Sequence, residues 1–228
     1  MKFMDVVIPV SADESVSGVL GVPQGFAAAR TAAVIVAHGA GNDMNNPLLV
    51  HFTEGLCRAG YLSLRFNFLY KEQGQRAPDP QPKLVRTWQA AFEFIKEHPE
   101  FGTPRIVAAG KSMGGRVASQ MAADGLLPVE ALVFLGYPLH APGKKDQLRD
   151  AHLCRIAVPM LFFAGTRDTL CDNELLRKVL SRLNTPRELE TIEGGDHSFD
   201  LPKSFKTSAE DVYDRILERT VSWLNQTV

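Results

Sequence analysis

The sequence predicts an α/β fold: a mostly parallel central sheet with an antiparallel N-terminal edge, helices on both faces and no large lid, built as one domain over residues 1–228. Three observations carry this expectation. Short apolar runs of strand length alternate with segments of helical periodicity from Ala32 onward. Two strand-like runs precede that alternation with only a polar turn between them. Arg105-Ile-Val-Ala-Ala-Gly-Lys-Ser-Met-Gly-Gly-Arg116 passes from an apolar strand directly into a helix through a glycine-flanked serine.

The runs at 6–10 and 16–22 flank the polar Ser11-Ala-Asp-Glu14 and read as an antiparallel pair at the sheet edge. An interior strand follows at 33–37, then a helix near 47–59 and a strand at 61–66. In the helix at 82–97, Leu84, Trp88, Ala91, Phe92 and Ile95 form one apolar stripe, which makes Trp88 a core residue, and His98-Pro99 ends it. A strand at 106–109 leads into a helix at 114–124, where Val117, Met121 and Ala122 fall at helical spacing before Gly125. Strands at 158–164 and 188–192 bracket a helix that starts near Asp172. The last helix opens on Thr207-Ser-Ala-Glu210, read as a capping box, and turns Val212, Ile216 and Leu224 toward the sheet. Alternation at this spacing implies right-handed crossovers. Two irregular segments, 67–81 and 136–148, fall at the carboxyl ends of strands, where ligands bind in open α/β sheets. Neither is long enough for a multi-helix lid, so a shallow, open site is expected.

Ser112 is the candidate nucleophile. A serine at a tight strand-to-helix turn is lifted above the sheet edge, and a β-carbon at Gly110 or Gly114 would collide with neighbouring backbone. The turn also aims the Met113 amide at the N-terminus of the next helix, where free N–H groups and the dipole favour an oxyanion. A serine at this position could instead be a helix N-cap, and the pentapeptide by itself could be a plain glycine-rich turn. What favours the nucleophile is the chain order of the segments after it: Gly165-Thr-Arg-Asp168 beyond one strand, Gly194-Gly-Asp-His-Ser-Phe199 beyond the next. Asp168 is the candidate acid and His197 the candidate base. Asp172 reads instead as an N-cap, and Asp196 as a turn residue too close to its neighbour to orient the imidazole. A second oxyanion donor is expected from His38-Gly-Ala-Gly-Asn-Asp43, at the Ala40 amide first and Gly41 second, with His38 fixing the loop by hydrogen bonds. Lys111 and Arg116 add positive charge, as surface ion pairs or as a bias toward an anionic substrate.

Composition narrows the partners. With 25 basic and 26 acidic residues spread along the chain and a net charge of −1, no basic face for nucleic acid or anionic membrane is expected. Three widely spaced cysteines, Cys57, Cys154 and Cys171, suggest neither a disulfide framework nor a thiolate metal site and fit a reducing compartment. No signal-peptide pattern and no apolar run of membrane-spanning length is present, so a cytoplasmic setting is expected.

These residues are similar to the α/β-hydrolase superfamily, and within it to the small, lidless, dienelactone-hydrolase-like members, over nearly the whole chain. His38-Gly-Ala-Gly-Asn-Asp-Met44, Arg65-Phe-Asn-Phe68 with Tyr70-Lys-Glu72, and Gly110-Lys-Ser-Met-Gly-Gly-Arg116 resemble more closely the largely uncharacterised group that includes testis-expressed and chromatin-complex (non-specific-lethal) relatives. The resemblance implies the α/β-hydrolase fold, the nucleophile at Ser112, the acid at Asp168, the base at His197, oxyanion donors at Met113 and Ala40, and no cofactor or metal. Dienelactone hydrolases proper carry a cysteine nucleophile, whereas this chain has Ser112. The expected activity is that of a serine hydrolase, a carboxylesterase, acting on a small ester or related acyl substrate. The rival readings are a non-catalytic binding or scaffold protein on the same fold, and an acyltransferase or small peptidase.

Overall fold

Strands β1 (Lys2–Pro9), β2 (Ser15–Val22), β3 (Ala33–Ala37), β4 (Leu62–Phe66), β5 (Ile106–Lys111), β6 (Ala131–Leu135), β7 (Met160–Gly165) and β8 (Arg187–Ile192) join into one sheet in the computed structural model, which describes residues 1–228. Their order is β1-β2-β4-β3-β5-β6-β7-β8. The β1–β2 and β2–β4 pairs are antiparallel and all others parallel, as the two opening runs imply. Six helices accompany the sheet: α1 (Pro47–Arg58), α2 (Leu69–Glu72), α3 (Gln81–Lys96), α4 (Met113–Ala123), α5 (Asn173–Leu180) and α6 (Ala209–Thr227).

The central strands are buried on both faces, so their side chains feed two cores in strict alternation. In β5, Ile106 and Ala108 enter one core while Val107 and Ala109 enter the other. In β6, Leu132 and Phe134 alternate in the same way with Ala131, Val133 and Leu135. The first core is closed by α3, α4 and α5 through Trp88, Val117 and Leu176, and the second by α1 and α6 through Phe52, Ile216 and Leu224. Trp88 is fully buried, as its place in the helical stripe requires, and its indole N–H donates to the Gly114 carbonyl at 3.1 Å, tying α3 to the first turn of α4.

Three features differ from the expectations. No strand is assigned from sequence between the serine turn and residue 158, yet β6 lies there, an Ala-Leu-Val-Phe-Leu run buried on both faces and therefore without alternation. The irregular stretch 67–81 contains the single-turn helix α2, whereas 136–148 holds neither helix nor strand. The cap of α6 sits one residue later than expected. Ser208 accepts from the Asp211 amide, and the Asp211 carboxylate accepts from the Ser208 amide, so Thr207 and Glu210 are not the pair.

The topology gathers the candidate residues at one edge. β5 pairs with β3 on one side and β6 on the other, which puts its carboxyl end in the middle of the sheet. The loops after β3, β5, β7 and β8 therefore open along the same rim, the position where ligands bind in parallel sheets. No helix is long and apolar enough to cross a membrane.

Candidate active site

The serine turn is as tight as its glycines imply. A β-carbon on Gly110 would lie 2.3 Å from the Gly115 nitrogen, and one on Gly114 would lie 2.7 Å from the carbonyl oxygens of Ala37 and His38. β5 and α4 can approach this closely only with hydrogen at those positions. Ser112 itself has φ 50° and ψ −114°, a backbone conformation that L residues rarely adopt. Its side chain makes no capping bond to α4, which removes the N-cap alternative.

The structure brings Ser112, His197 and Asp168 together, although 85 residues separate the first two. The Ser112 hydroxyl lies 2.8 Å from His197 Nε2, and His197 Nδ1 lies 2.7 Å from Asp168 Oδ2. A neutral imidazole satisfies both contacts when Nδ1–H donates to the carboxylate and Nε2 accepts from the hydroxyl. The Asp168 carboxyl is wholly buried, and its other oxygen accepts the Leu170 amide at 2.7 Å. Asp172 caps α5, as expected, accepting the amides of Glu174 and Leu175; its partnership with Lys145 Nζ at 2.5 Å, together with those amides, holds its carboxyl below the usual range. Asp196 accepts the amides of Ser198 and Asp200 within its own turn.

The loop after β3 lies against the same point. Met113 and Ala40 line one hollow with Ser112, and no protein group accepts a hydrogen bond from either amide. His38 is fully buried: its Nδ1 lies 2.8 Å from the Gly39 carbonyl, and its Nε2 accepts the Phe68 amide at 3.1 Å. Burial lowers its pKa to about 4, so the ring stays neutral in a tautomer set by the two backbone groups it links. That side chain is occupied in holding the loop.

Ser112 stands between two hollows. The first, about 370 Å³, is also lined by Ala40, Met113, Arg116, Arg149 and Asp79. The second, about 400 Å³, holds His197, Lys111, Asn42, Asp200 and Tyr213. A larger hollow of about 580 Å³ lies between α1 and α6, at Gly55, Leu217 and Val221, and contains none of the candidate residues. Arg116 and Arg149 are the side chains of the first hollow that motif reading did not resolve. Arg116 donates to Gln120 at 3.3 Å and Arg149 to the Pro138 carbonyl at 3.4 Å, and neither meets a carboxylate. Burial and then the nearby Arg149 charge lower the Arg116 pKa. The expectation of surface ion pairs at Lys111 and Arg116 is therefore not met: Lys111 is 6% exposed and turned inward. Arg149 carries no sequence signal, since it follows an irregular loop whose path depends on packing. No group of three or more His, Cys, Asp or Glu side chains is placed to hold a metal ion.

A parallel sheet with its serine turn at the central strand and acid and imidazole loops on later strands defines the α/β-hydrolase class. The family model described as an alpha/beta hydrolase domain matches residues 30–225, and the chain belongs to that family. Among solved structures, the dienelactone hydrolase of Anabaena variabilis ATCC 29413 is 21% identical, with a TM-score of 0.75 over 100% of this chain and 98% of that one. A serine hydrolase without a lid from Xanthomonas campestris is 18% identical, with a TM-score of 0.73 over 98% and 95%. Thermogutta terrifontis esterase 2, in its form phosphorylated by paraoxon, is 20% identical, with a TM-score of 0.75 over 98% and 94%. At these identities the likeness is one of fold.

Proposed function

We propose that this protein is a serine hydrolase that cleaves a small ester or related acyl bond through an acyl-enzyme on Ser112. The supporting observation is the unbroken hydrogen-bond chain from the Ser112 hydroxyl through His197 to the buried Asp168 carboxylate. His197 Nε2 takes the hydroxyl proton as Oγ attacks the substrate carbonyl carbon, and the carbonyl π pair moves onto its oxygen. The Met113 and Ala40 N–H groups hold that oxyanion. When the intermediate collapses, the bond to the leaving oxygen breaks and the imidazolium returns its proton to that oxygen. A water then loses a proton to His197, attacks the acyl carbon, and releases the acid and the free Ser112 hydroxyl. Asp168 fixes the tautomer of His197 and favours the imidazolium.

Family membership and the activities of the neighbours, a serine hydrolase and an esterase, support the same reading. The absence of a lid and the two open hollows favour a small substrate bound across the rim. The motifs at 38–44, 65–72 and 110–116 extend the likeness to the testis-expressed and chromatin-complex relatives without naming a substrate. All three cysteines are free, which fits a reducing, cytoplasmic setting. The test is covalent labelling by a fluorophosphonate followed by a panel of short-chain esters. Labelling that disappears in Ser112→Ala is the expected result, with turnover lowered roughly 10⁶-fold in Ser112→Ala or His197→Ala. A folded protein that does not label, or that labels equally after Ser112→Ala, removes Ser112 from this role.

A further inference from the structure

Lys111 ends β5 and immediately precedes Ser112, yet its side chain is withdrawn from water. Its stem runs beside Gly39, and Nζ ends 2.5 Å from the backbone carbonyl of His197 and 5.5 Å from the ring centroid of Phe199. Gly136 leaves room for this path: a β-carbon there would lie 3.1 Å from both Lys111 Nζ and the His197 oxygen, tight enough that one of them would have to give by a few tenths of an ångström. A buried ammonium is costly unless its protons are used. Here one carbonyl and one aromatic face receive it.

The hydrogen bonds around His197 divide into two sets. The loop after β8 is fastened to the loop after β7 by Arg167 N–H to the Gly195 carbonyl at 2.8 Å and by Gly194 N–H to Thr166 Oγ1 at 2.8 Å. Those bonds set the imidazole against Asp168. Toward β5, the loop has the Ser112 contact itself and the Lys111 bond.

We propose that Lys111 is a positioning residue, whose ammonium ties the strand carrying Ser112 to the main chain of His197 and so sets the approach of base to nucleophile. The inference rests on the serine-hydrolase reading of this site. The ionisable groups around the ammonium are Asp168 from the β7 loop, Asp196, His197 and Asp200 from the β8 loop, and Tyr213 from α6. Burial draws the Lys111 pKa down to about 8, against the pull of Asp168, Asp196 and Asp200, so the cation is retained at neutral pH. Its charge opposes formation of the imidazolium. Removing it therefore has two separable consequences, a looser base and an imidazole that takes up its proton at higher pH.

The test is the second-order rate of fluorophosphonate labelling as a function of pH, with cooperative melting checked first. Lys111→Met keeps the stem and removes the charge. The expected result is a plateau rate roughly 10–100-fold lower, the scale of a small misplacement of reacting groups, with the acid limb moved to higher pH. Simple loss of packing would lower the melting temperature without moving that limb. If Lys111→Met does not melt cooperatively, Lys111→Ala carries the test: added propylammonium restores its labelling rate and 1-propanol does not. A wild-type rate with an unmoved acid limb in Lys111→Met, or equal rescue by propanol, overturns the proposal. Failure of the wild type itself to label refutes the hydrolase reading instead.

Discussion

Gly110→Ala places a methyl group where the structure has only backbone. The added carbon would lie 2.3 Å from the Gly115 nitrogen, 2.6 Å from the Gly114 carbonyl carbon and 2.7 Å from the Gly115 Cα. None of these atoms belongs to a side chain that could swing aside. Ordinary contact begins at 3.4 Å, so β5 and the first turn of α4 must part by about 1 Å. Overpacking of this kind costs about 1–3 kcal/mol, which for a chain of this length corresponds to a fall in Tm of roughly 3–10 °C. The displaced turn carries Ser112 and the Met113 amide, and a shift of about 1 Å in reacting groups lowers rates roughly 10²-fold. Scanning calorimetry reads the first quantity, and the kinetics of fluorophosphonate labelling at the wild-type pH optimum read the second. A Gly110→Ala protein with unchanged Tm and labelling rate would refute both the turn geometry and the role assigned to it.

Other consequences follow from the same contacts. Asp168→Asn retains an oxygen for the Leu170 amide and so should fold, but it removes the charge and tautomer control at His197; labelling should slow by roughly 10⁴-fold, and a loss under tenfold would count against Asp168 as the acid. Trp88→Phe leaves the Gly114 carbonyl without its indole donor, and chemical denaturation should show a loss of about 1–3 kcal/mol. His38 is held near pKa 4 when folded and near 6.5 when unfolded, so between these values the unfolded chain binds more protons. Its stabilising contribution, on the order of 3 kcal/mol, is complete above pH 6.5 and is lost as pH falls toward 4. Denaturation midpoints that do not change between pH 7 and 4.5 would contradict this. Arg116 and Arg149 flank Ser112 without carboxylate partners, so acyl esters ending in a carboxylate should show higher kcat/KM than matched neutral esters, with the ratio falling toward one in Arg149→Gln.

Much of the architecture was legible in the chain because its signals are local. The turn at Gly110–Gly114 reads directly, since steric exclusion acts between atoms only a few residues apart. The helical stripe of α3 and the antiparallel opening pair read from periodicity. β6 is buried on both faces and lacks alternation, as β3, β5 and β7 do, but those three run into segments that carry the candidate residues, whereas β6 adjoins none. The cap of α6 was misplaced by one residue because Thr207-Ser-Ala-Glu210 and the true Ser208–Asp211 pair have equivalent chemistry, and only backbone geometry separates them.

The sequence by itself determined which residue types stand at the ends of which strands, in what order, and therefore which reaction class deserved consideration. Only the tertiary structure decided the distances: 2.8 Å from Ser112 to His197, 85 residues apart, depends on how the loops after β5 and β8 converge across the intervening β6 and β7. It also decided where Lys111 sits, buried with its ammonium on the His197 carbonyl, and it placed Arg149 in the same hollow as Ser112. Side-chain direction and long-range neighbours follow from how the layers pack together, and that packing energy is distributed over the whole core rather than written in any one motif.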